Sequence, residues 1–296
     1  MTLPSPALAC EDRPVPSPAA PPAREALLLA VNMLPASPQI LARLDPLLLD
    51  LQSSVEDITN LLRRDAALTA RILRIANSVM YNQGEPLASL EAALVRIGFI
   101  EVYRVTGFAV LAQVSNQQVA LYDINGAQFR ENSLLTALIM EALAEAAGID
   151  PRSAYTAGLL RSTGKIALDR AMRSNGRYQE IEPFARGPLI EWETSTFGWN
   201  NCDAAALVLE AWRFPPEMIA AVRDHYLLAP GASPLAHLLN LAAGAAERCG
   251  HGLPGEYPYW DLTPERCAAV GIDEESVETA MRRALEVFGP VRTAVG

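Results

Sequence analysis

Residues 157–168 read AGLLRSTGKIAL and lie near the middle of the chain. The segment has the pattern of an apolar helix end, a glycine break and the start of a second helix. Arg161 and Lys165 stand four positions apart, so a continuous helix would place both cations on the same side. Gly164, between them, supplies the alternative, in which the helix is interrupted and the two cations are separated. We therefore expect the chemistry of this segment to depend on where one helix ends and the next begins.

The composition of the chain indicates a globular protein and argues against nucleic acid as its main partner. Hydrophobic residues make up 50% of the 296 residues, and charged residues make up 20%. A chain of this length buries roughly 75% of the surface that it exposes when unfolded, which suffices for one large domain or two smaller ones. The net charge of −10 would repel a phosphate backbone.

The cysteines and the hydropathy predict a cytoplasmic protein that does not enter a membrane. The four cysteines form no C-x-x-C pair, so neither a zinc ribbon nor a dithiol redox motif is predicted. Four scattered thiols suit a reducing compartment. No signal peptide is evident, and the apolar stretches are shorter than the ~20 residues that a membrane span needs.

The first residues differ in composition from the rest of the chain. Residues 1–24 contain seven prolines among small and polar residues. Proline removes a backbone donor and restricts the backbone, so we expect an extended or disordered tail. The alternative is a tail that docks on a partner. Globular sequence is expected to begin at Glu25.

From Glu25 onward, nearly every segment has the apolar period of a helix, and no strand alternation or internal repeat is seen. Residues 55–78 give the clearest example, because one predicted face carries only apolar side chains: Leu61, Leu68, Ile72 and Ile75. The opposite side carries Arg64, Arg71 and Arg74. We refer to these three arginines as the arginine stripe. It is interpreted either as a solvated face with internal salt bridges or as a surface for an acidic partner.

Several spaced motifs in this helical sequence resemble the HDOD family, the HD-related output domains. The family signature runs from an Asp-Pro-x-Leu helix into Leu-x-x-Ala-Asn-Ser, and Ala66 stands here where proline is usual. The matching residues are Asp65, Leu68, Leu73, Ala76, Asn77, Ser78, the opening turn at Leu34, Pro35 and Pro38, the Ala92, Ala93, Ile97 and Gly98 element, Trp212 with Pro215, and His225 with Tyr226.

This resemblance implies an all-α fold that covers residues 25–230. An N-terminal helical bundle (25–120) would pack on a degenerate HD-like helical bundle (121–230). Residues 231–296 are then expected to form a C-terminal helical extension, because helix-start signals recur there.

Residues 157–168 resemble the central motif of HD phosphohydrolases, which carry a His-Asp pair after Gly-Leu-Leu. Here the pair is replaced by Arg161 and Ser162. By the same resemblance, the other ligand positions hold Asn132, Asn201 and Ala243 instead of His, His and Asp. Asn and Ser are poor ligands for transition metals, and Arg does not lose its proton. We therefore predict no metal, no cofactor and no catalysis.

Two alternatives describe what the altered site does instead. Arg161 and Lys165, with Asn132 and Asn201 nearby, could form a cationic pocket for an anionic group such as a nucleotide phosphate. Alternatively, Arg161 pairs with a local acid, Asp203 or Glu193, and fills the former metal cavity.

The histidines add little to either alternative. His225 matches the terminal His of the family, but a histidine near a helix end commonly satisfies the last carbonyls. His237 and His251 have no spaced partner ligands, so no role is predicted for them.

The resemblance implies a function in bacterial signal transduction. We predict a non-catalytic regulatory module that acts by protein–protein interaction, with signalling proteins as partners and enzymes of cyclic-dinucleotide metabolism among the candidates. The alternatives are a residual metal-dependent phosphohydrolase and a nucleotide-binding sensor that uses the emptied HD cavity. The oligomeric state and the triggering signal stay open.

Overall fold

A computed structural model describes residues 24–34, 38–50, 52–78, 84–115, 118–174, 184 and 187–295. The predicted proline-rich tail lies outside these ranges except for Arg24, which begins the first helix. Pro35 of the predicted opening turn also lies outside them. The described residues are mostly helical and contain no β-strand, only one antiparallel bridge between Val119 and Ile124. The prediction of an all-α fold is confirmed.

The first part of the chain forms six helices that end at Val114. Each of three helices begins with a side-chain cap, in which Ser54, Asp65 or Ser89 accepts a hydrogen bond from a first-turn amide. Their bounds are α1 Arg24–Asn32, α2 Gln39–Leu49, α3 Val55–Leu62, α4 Ala66–Ala76, α5 Leu90–Ile97 and α6 Phe99–Val114.

The predicted apolar face of residues 55–78 is buried as expected. Leu68, Ile72 and Ile75 on α4 are inaccessible to solvent, and Leu61 near the end of α3 is almost so. α4 packs against α5 and α6 through this face. Burial of four large aliphatic side chains stabilises the bundle by about 1.5–3 kcal/mol for each side chain.

The second part of the chain is built around one long helix. Nearly all residues of α7 from Asn132 to Ala144 are buried, and the helix packs against α8, α13 and α15. α1 also packs here, against α9 and α11. The bounds are α7 Gly126–Ala147, α8 Pro151–Leu160, α9 Thr163–Ser174, α10 Leu189–Phe197, α11 Asn201–Ala211, α12 Pro216–Asp224, α13 Pro234–Arg248, α14 Pro264–Ala268 and α15 Glu274–Val295, with short 3-10 helices at Ala120–Tyr122 and Tyr257–Tyr259.

Two glycines allow the helices of this bundle to approach closely. A Cβ atom on Gly158 would lie 2.8 Å from the Ala137 Cα atom, so α8 contacts the backbone of α7 directly. A Cβ atom on Gly164 would lie 1.8 Å from the Asn201 carbonyl oxygen, which no side chain could accommodate. These contacts set the positions of α8, α9 and α11, whose ends carry the predicted site.

Within the described ranges, no helix is both long enough and apolar enough to cross a membrane.

Candidate functional site

The helix break in the segment 157–168 falls at Arg161 and Ser162, and Gly164 is not the point of interruption. α8 ends at Leu160, Arg161 and Ser162 form a turn, and α9 begins at Thr163. Gly164 lies inside the first turn of α9, where its missing side chain makes room for Asn201. The expectation that Gly164 separates the two cations is therefore wrong, because both reach the same carboxylate.

Arg161 is completely buried and holds two acceptors at the centre of the HD-like bundle. Its Nη2 atom donates to Asn132 Oδ1 at 2.7 Å and to Glu256 Oε2 at 2.8 Å. The guanidinium carbon lies 5.3 Å from the centroid of the Trp260 ring, within the range of a cation–π contact. The expected partners of Arg161, Asp203 and Glu193, are wrong, since the ion pair is made with Glu256.

Lys165 contacts the other oxygen of the same carboxylate. Its Nζ atom lies 3.0 Å from Glu256 Oε1 and 3.1 Å from the Tyr226 hydroxyl oxygen. Tyr226 also donates a short hydrogen bond to Glu256 Oε1. The ammonium group lies 5.2 Å and 5.4 Å from the ring centroids of Tyr122 and Tyr226. Glu256 therefore bridges two buried cations, each of which also lies against an aromatic ring.

The electrostatics of this cluster favour the charged carboxylate. Burial by itself disfavours the anion, but the attraction of Arg161 and Lys165, with the hydrogen bonds from Arg161 and Tyr226, lowers the pKa of Glu256 to about 2. Burial also acts to lower the pKa of Arg161. The attraction of Glu256 is the stronger effect, so the pKa of Arg161 is raised. Glu256 is thus an ionised carboxylate that is inaccessible to solvent.

Asn132 occupies the first ligand position with both ends of its amide engaged. Its Oδ1 atom accepts from Arg161, and its Nδ2 atom donates to the backbone carbonyl of His251 at 2.7 Å. His251, for which no role was predicted, thus orients Asn132 through its main chain.

Asn201 occupies the later position and belongs to a second buried group. Its backbone N and its Nδ2 both donate to Glu193 Oε2, at 2.8 Å and 2.9 Å. Tyr122 donates to the other oxygen of Glu193 at 2.8 Å. Burial raises the pKa of Glu193, although Lys165, Asn201 and Tyr122 oppose the shift. The structure therefore brings the four predicted site residues to one region but distributes them between two carboxylates.

His225 acts as the cap of a helix end. It follows the last residue of α12, and its Nδ1 atom lies 2.7 Å from the carbonyl oxygen of Val222. Because a carbonyl only accepts, Nδ1 carries the hydrogen. Burial, followed by the nearby charge of Arg161, lowers the pKa of His225 to about 3, so the ring is neutral. The ring stacks on Trp260 with an interplanar angle of 17°. The expectation that His225 satisfies a terminal carbonyl is confirmed.

The residues at the former ligand positions do not fit a metal ion. Asn132 and Asn201 have their amides engaged, Ser162 supplies only a hydroxyl, and Ala243 lies buried inside α13. The guanidinium of Arg161 stands in the same position and bears a fixed positive charge. No group of three or more His, Cys, Asp or Glu residues suited to a metal occurs in the part of the chain that the structure describes.

The arginine stripe lies on α4 and at Arg64 just before it, and it is less uniform than predicted. Arg64 and Arg74 are exposed, whereas Arg71 is half-buried and donates to the carbonyl of Ala109 at 3.0 Å. Burial, followed by repulsion from Arg74 and Arg130, lowers the pKa of Arg71. The assignment of the stripe to a partner surface stays a prediction.

Two residues that contact Arg161 were not predicted. Glu256 and Trp260 belong to the segment 249–263, which follows α13 and is rich in glycine, proline and aromatic residues. One signal was available, since Glu256 is an isolated acid between Gly255 and the aromatic run that begins at Tyr257.

The family profile described as the HDOD domain matches residues 34–228, which is more than half of the chain. The match ends before Glu256, so the counter-ion of Arg161 lies outside the matched range.

Solved structures share the fold at low sequence identity. A protein from Shewanella amazonensis named "putative phosphohydrolase" is 22% identical with a TM-score of 0.63, over 92% of this chain and 98% of that chain. An HDOD domain protein of unknown function from Geobacter sulfurreducens is 20% identical with a TM-score of 0.63, over 92% and 97%. A "putative signal transduction protein" from Marinobacter aquaeolei is 20% identical with a TM-score of 0.67, over 92% and 65%.

These identities show a common fold and nothing finer. No functionally curated protein matches the sequence. The helical bundle, the spaced motifs and the matched range lead to one conclusion: the chain belongs to the HDOD family.

Proposed function

We propose that this protein is a non-catalytic module of bacterial signal transduction that acts by binding another protein. Membership of the HDOD family supports a role in signalling, as does the similarity in fold to the Marinobacter protein named for signal transduction. The proposed partners are signalling proteins, with enzymes of cyclic-dinucleotide metabolism as one class.

The observation that carries the non-catalytic part is the buried pair of Arg161 and Glu256. A dication ~4 Å from the guanidinium would be repelled by about 8 kcal/mol at an effective dielectric constant of about 20. Moving Arg161 away would break a buried ion pair, which costs about 3–5 kcal/mol when one partner is left alone. A metal ion would therefore meet one cost or the other, set against the roughly 10–16 kcal/mol that a structural zinc site with a complete ligand set provides.

The same pair makes a nucleotide sensor the weaker alternative. A phosphate that bound Arg161 and Lys165 would have to displace Glu256, which already contacts both cations at 2.8 Å and 3.0 Å. The cluster is closed to solvent, so the entry of a nucleotide would also require the segment 249–263 to leave the bundle. The geometry favours an internal structural cluster over a ligand site.

The test of the non-catalytic part is an assay of the purified full chain with Mn²⁺ and a chromogenic phosphodiester. We expect no turnover above the metal-only blank and no saturable Mn²⁺ binding. A double variant, Arg161→His with Ser162→Asp, serves as the comparison for a partly restored ligand set. Turnover by the native chain that is lost on chelation would overturn the proposal.

The test of the binding part is affinity capture of the full chain from its own lysate, followed by reconstitution with the purified candidate partner. A second capture uses the chain with Arg64, Arg71 and Arg74 changed to Glu. A direct binary complex with a signalling protein supports the proposal, and its loss in the charge-reversed chain assigns the arginine stripe to the contact. Failure of every captured candidate to bind directly would contradict it.

A further inference from the structure

A continuous furrow runs along α7 and is lined by residues other than those of the Arg161–Glu256 cluster. It consists of three adjoining cavities of about 260, 50 and 470 Å³. Arg104, Glu141 and Glu145 line both the first and the second cavity, and Glu145 and Arg283 line both the second and the third. We call this feature the α7 furrow, bounded by α6 and the start of α8 at one end and by α15 at the other.

Carboxylates outnumber guanidinium groups along the α7 furrow by five to three. The acidic lining residues are Glu141, Glu145, Asp150, Asp273 and Glu275, and the basic ones are Arg104, Arg152 and Arg283.

Each of the three arginines is already engaged by a carboxylate. Arg104 contacts Glu141 at 2.9 Å, and Arg283 contacts Glu145 at 2.9 Å. Arg152 lies between Asp45 and Asp150, at 3.5 Å and 3.6 Å. The furrow therefore presents an excess of negative charge, which repels anions and nucleic acids and attracts cationic side chains.

One end of the furrow carries an exposed apolar cluster. Ile100 lines the first cavity and is 61% exposed. Phe99 precedes it at the start of α6, Val95 lies before Gly98 near the end of α5, and both are also exposed. Three large apolar side chains within six residues at a helix corner exceed the isolated exposure that is normal for a surface. Apolar contact is therefore available next to acidic contact.

We infer that the α7 furrow binds an amphipathic basic helix of a partner protein, with apolar anchors at Ile100 and arginine or lysine side chains along Glu145 and α15. This inference rests on the proposed function and names its surface and the chemistry of its partner. A helix that lays an apolar face into a groove is a common recognition mode, with anchors at i, i+3 or i+4 and i+7. The excess of carboxylates selects a basic flank on that helix.

The probe is a fluorescent peptide of about 18 residues, with leucine on one face and arginine on the other. A matched peptide carries glutamate in place of arginine. Binding to the full chain is measured by fluorescence anisotropy at physiological ionic strength, where the Debye length of about 8 Å suppresses long-range attraction. We expect the arginine peptide to bind with a Kd on the order of 10 μM and the glutamate peptide not to bind.

The variant pair that tests the surface is Ile100→Ser with Glu145→Lys. Its control is Leu29→Ser with Glu217→Lys, which changes the same charge and an equally exposed aliphatic residue on α1 and α12. We expect the first pair to weaken peptide binding by about tenfold or more, equivalent to ~1.4 kcal/mol, and the control pair by less than about twofold.

Four outcomes would overturn the inference. If both variant pairs weaken peptide binding equally, the binding is only the general attraction of a basic peptide to an acidic protein. Self-association of the chain that the furrow pair abolishes would assign the surface to a second copy. If a captured partner forms a direct complex that the furrow pair of substitutions does not weaken, the assignment of the α7 furrow is refuted and the proposed function is not. If no direct partner exists, both the assignment of the furrow and the proposed function are refuted.

Discussion

Glu256→Gln should strongly destabilise the protein, although Glu256 lies outside the matched family range. The substitution keeps the shape of the side chain and removes its negative charge. Arg161 and Lys165, which contact the two carboxylate oxygens at 2.8 Å and 3.0 Å, would then remain buried without a counter-ion. Removing one partner from a buried ion pair costs about 3–5 kcal/mol.

The acid–base properties of the same residue lead to a similar magnitude. The pKa of Glu256 falls from a usual value of 4.5 to about 2 in the folded protein. A difference of that size corresponds to about 3 kcal/mol of stability, since one pKa unit is worth ~1.4 kcal/mol. We therefore expect Glu256→Gln to lower the free energy of unfolding by about 3–5 kcal/mol.

The assay is urea unfolding followed by far-ultraviolet circular dichroism, with tryptophan fluorescence as a second probe because Trp260 contacts Arg161. The matched control is Glu217→Gln, an exposed glutamate on α12, which should change the free energy of unfolding by no more than about 0.5 kcal/mol. A double-mutant cycle with Arg161→Met should show a coupling of about 2 kcal/mol or more.

Equal stability of Glu256→Gln and Glu217→Gln would contradict the prediction, because it would mean that the two buried cations do not depend on the carboxylate.

Further tests concern acid unfolding, two glycines, His225 and the C-terminal helices. Because the pKa of Glu256 is lowered in the folded protein, its contribution to stability is present above about pH 4.5 and is lost as the pH falls toward about 2. The free energy of unfolding should therefore fall less between these two pH values in Glu256→Gln than in the native chain. Gly164→Ala should lower the free energy of unfolding by more than about 3 kcal/mol, measured by thermal unfolding, since its Cβ atom would overlap a carbonyl of α11. In the control, Gly289→Ala, the added Cβ atom would meet no neighbouring atom within 4 Å, so this change should be neutral or stabilising. Equal effects of the two substitutions would contradict the close approach of α9 and α11. The imidazole signals of His225 should not titrate between pH 5 and 8 in NMR spectra, because its pKa is about 3; a midpoint near 6.5 would show that the ring is not buried as described. A chain that stops at residue 230 should lose cooperative unfolding, since it lacks Glu256, the counter-ion of Arg161, and the helices α13 and α15 that cover α7. Cooperative unfolding of the shortened chain would show that these residues are not needed for the fold.

The helical fold could be predicted because its causes are local in the sequence. The apolar period that marks Leu68, Ile72 and Ile75 as one face depends only on residues within a few turns. Caps such as Asp65 and Ser89 act over three residues, and the amide that each one satisfies is already determined by the adjacent sequence. The motifs that resemble the HDOD family occur in the same order as in that family, and together with these local signals they were enough to predict the all-α class.

The replacement of the HD ligands could also be read from the sequence, because it concerns which residue types are present. Arg161, Ser162, Asn132 and Asn201 stand where the resemblance expects ligands, and their chemistry at these positions needs no coordinates. The helix boundary was harder to predict. Gly164 suggested a break, whereas the structure uses that glycine for contact with α11 and turns the chain at Arg161.

The helices, their buried faces and the absence of the metal-ligand set could be predicted without coordinates, since each of these follows from residue type and short-range period. The group that neutralises Arg161 could not. Its counter-ion is Glu256, 95 residues later and in a loop without a periodic pattern, so acids nearer in sequence such as Glu193 were equally plausible. The physical reason is that a buried charge is satisfied by whichever opposite charge the packing of the chain brings within about 3 Å, and sequence separation does not measure that distance.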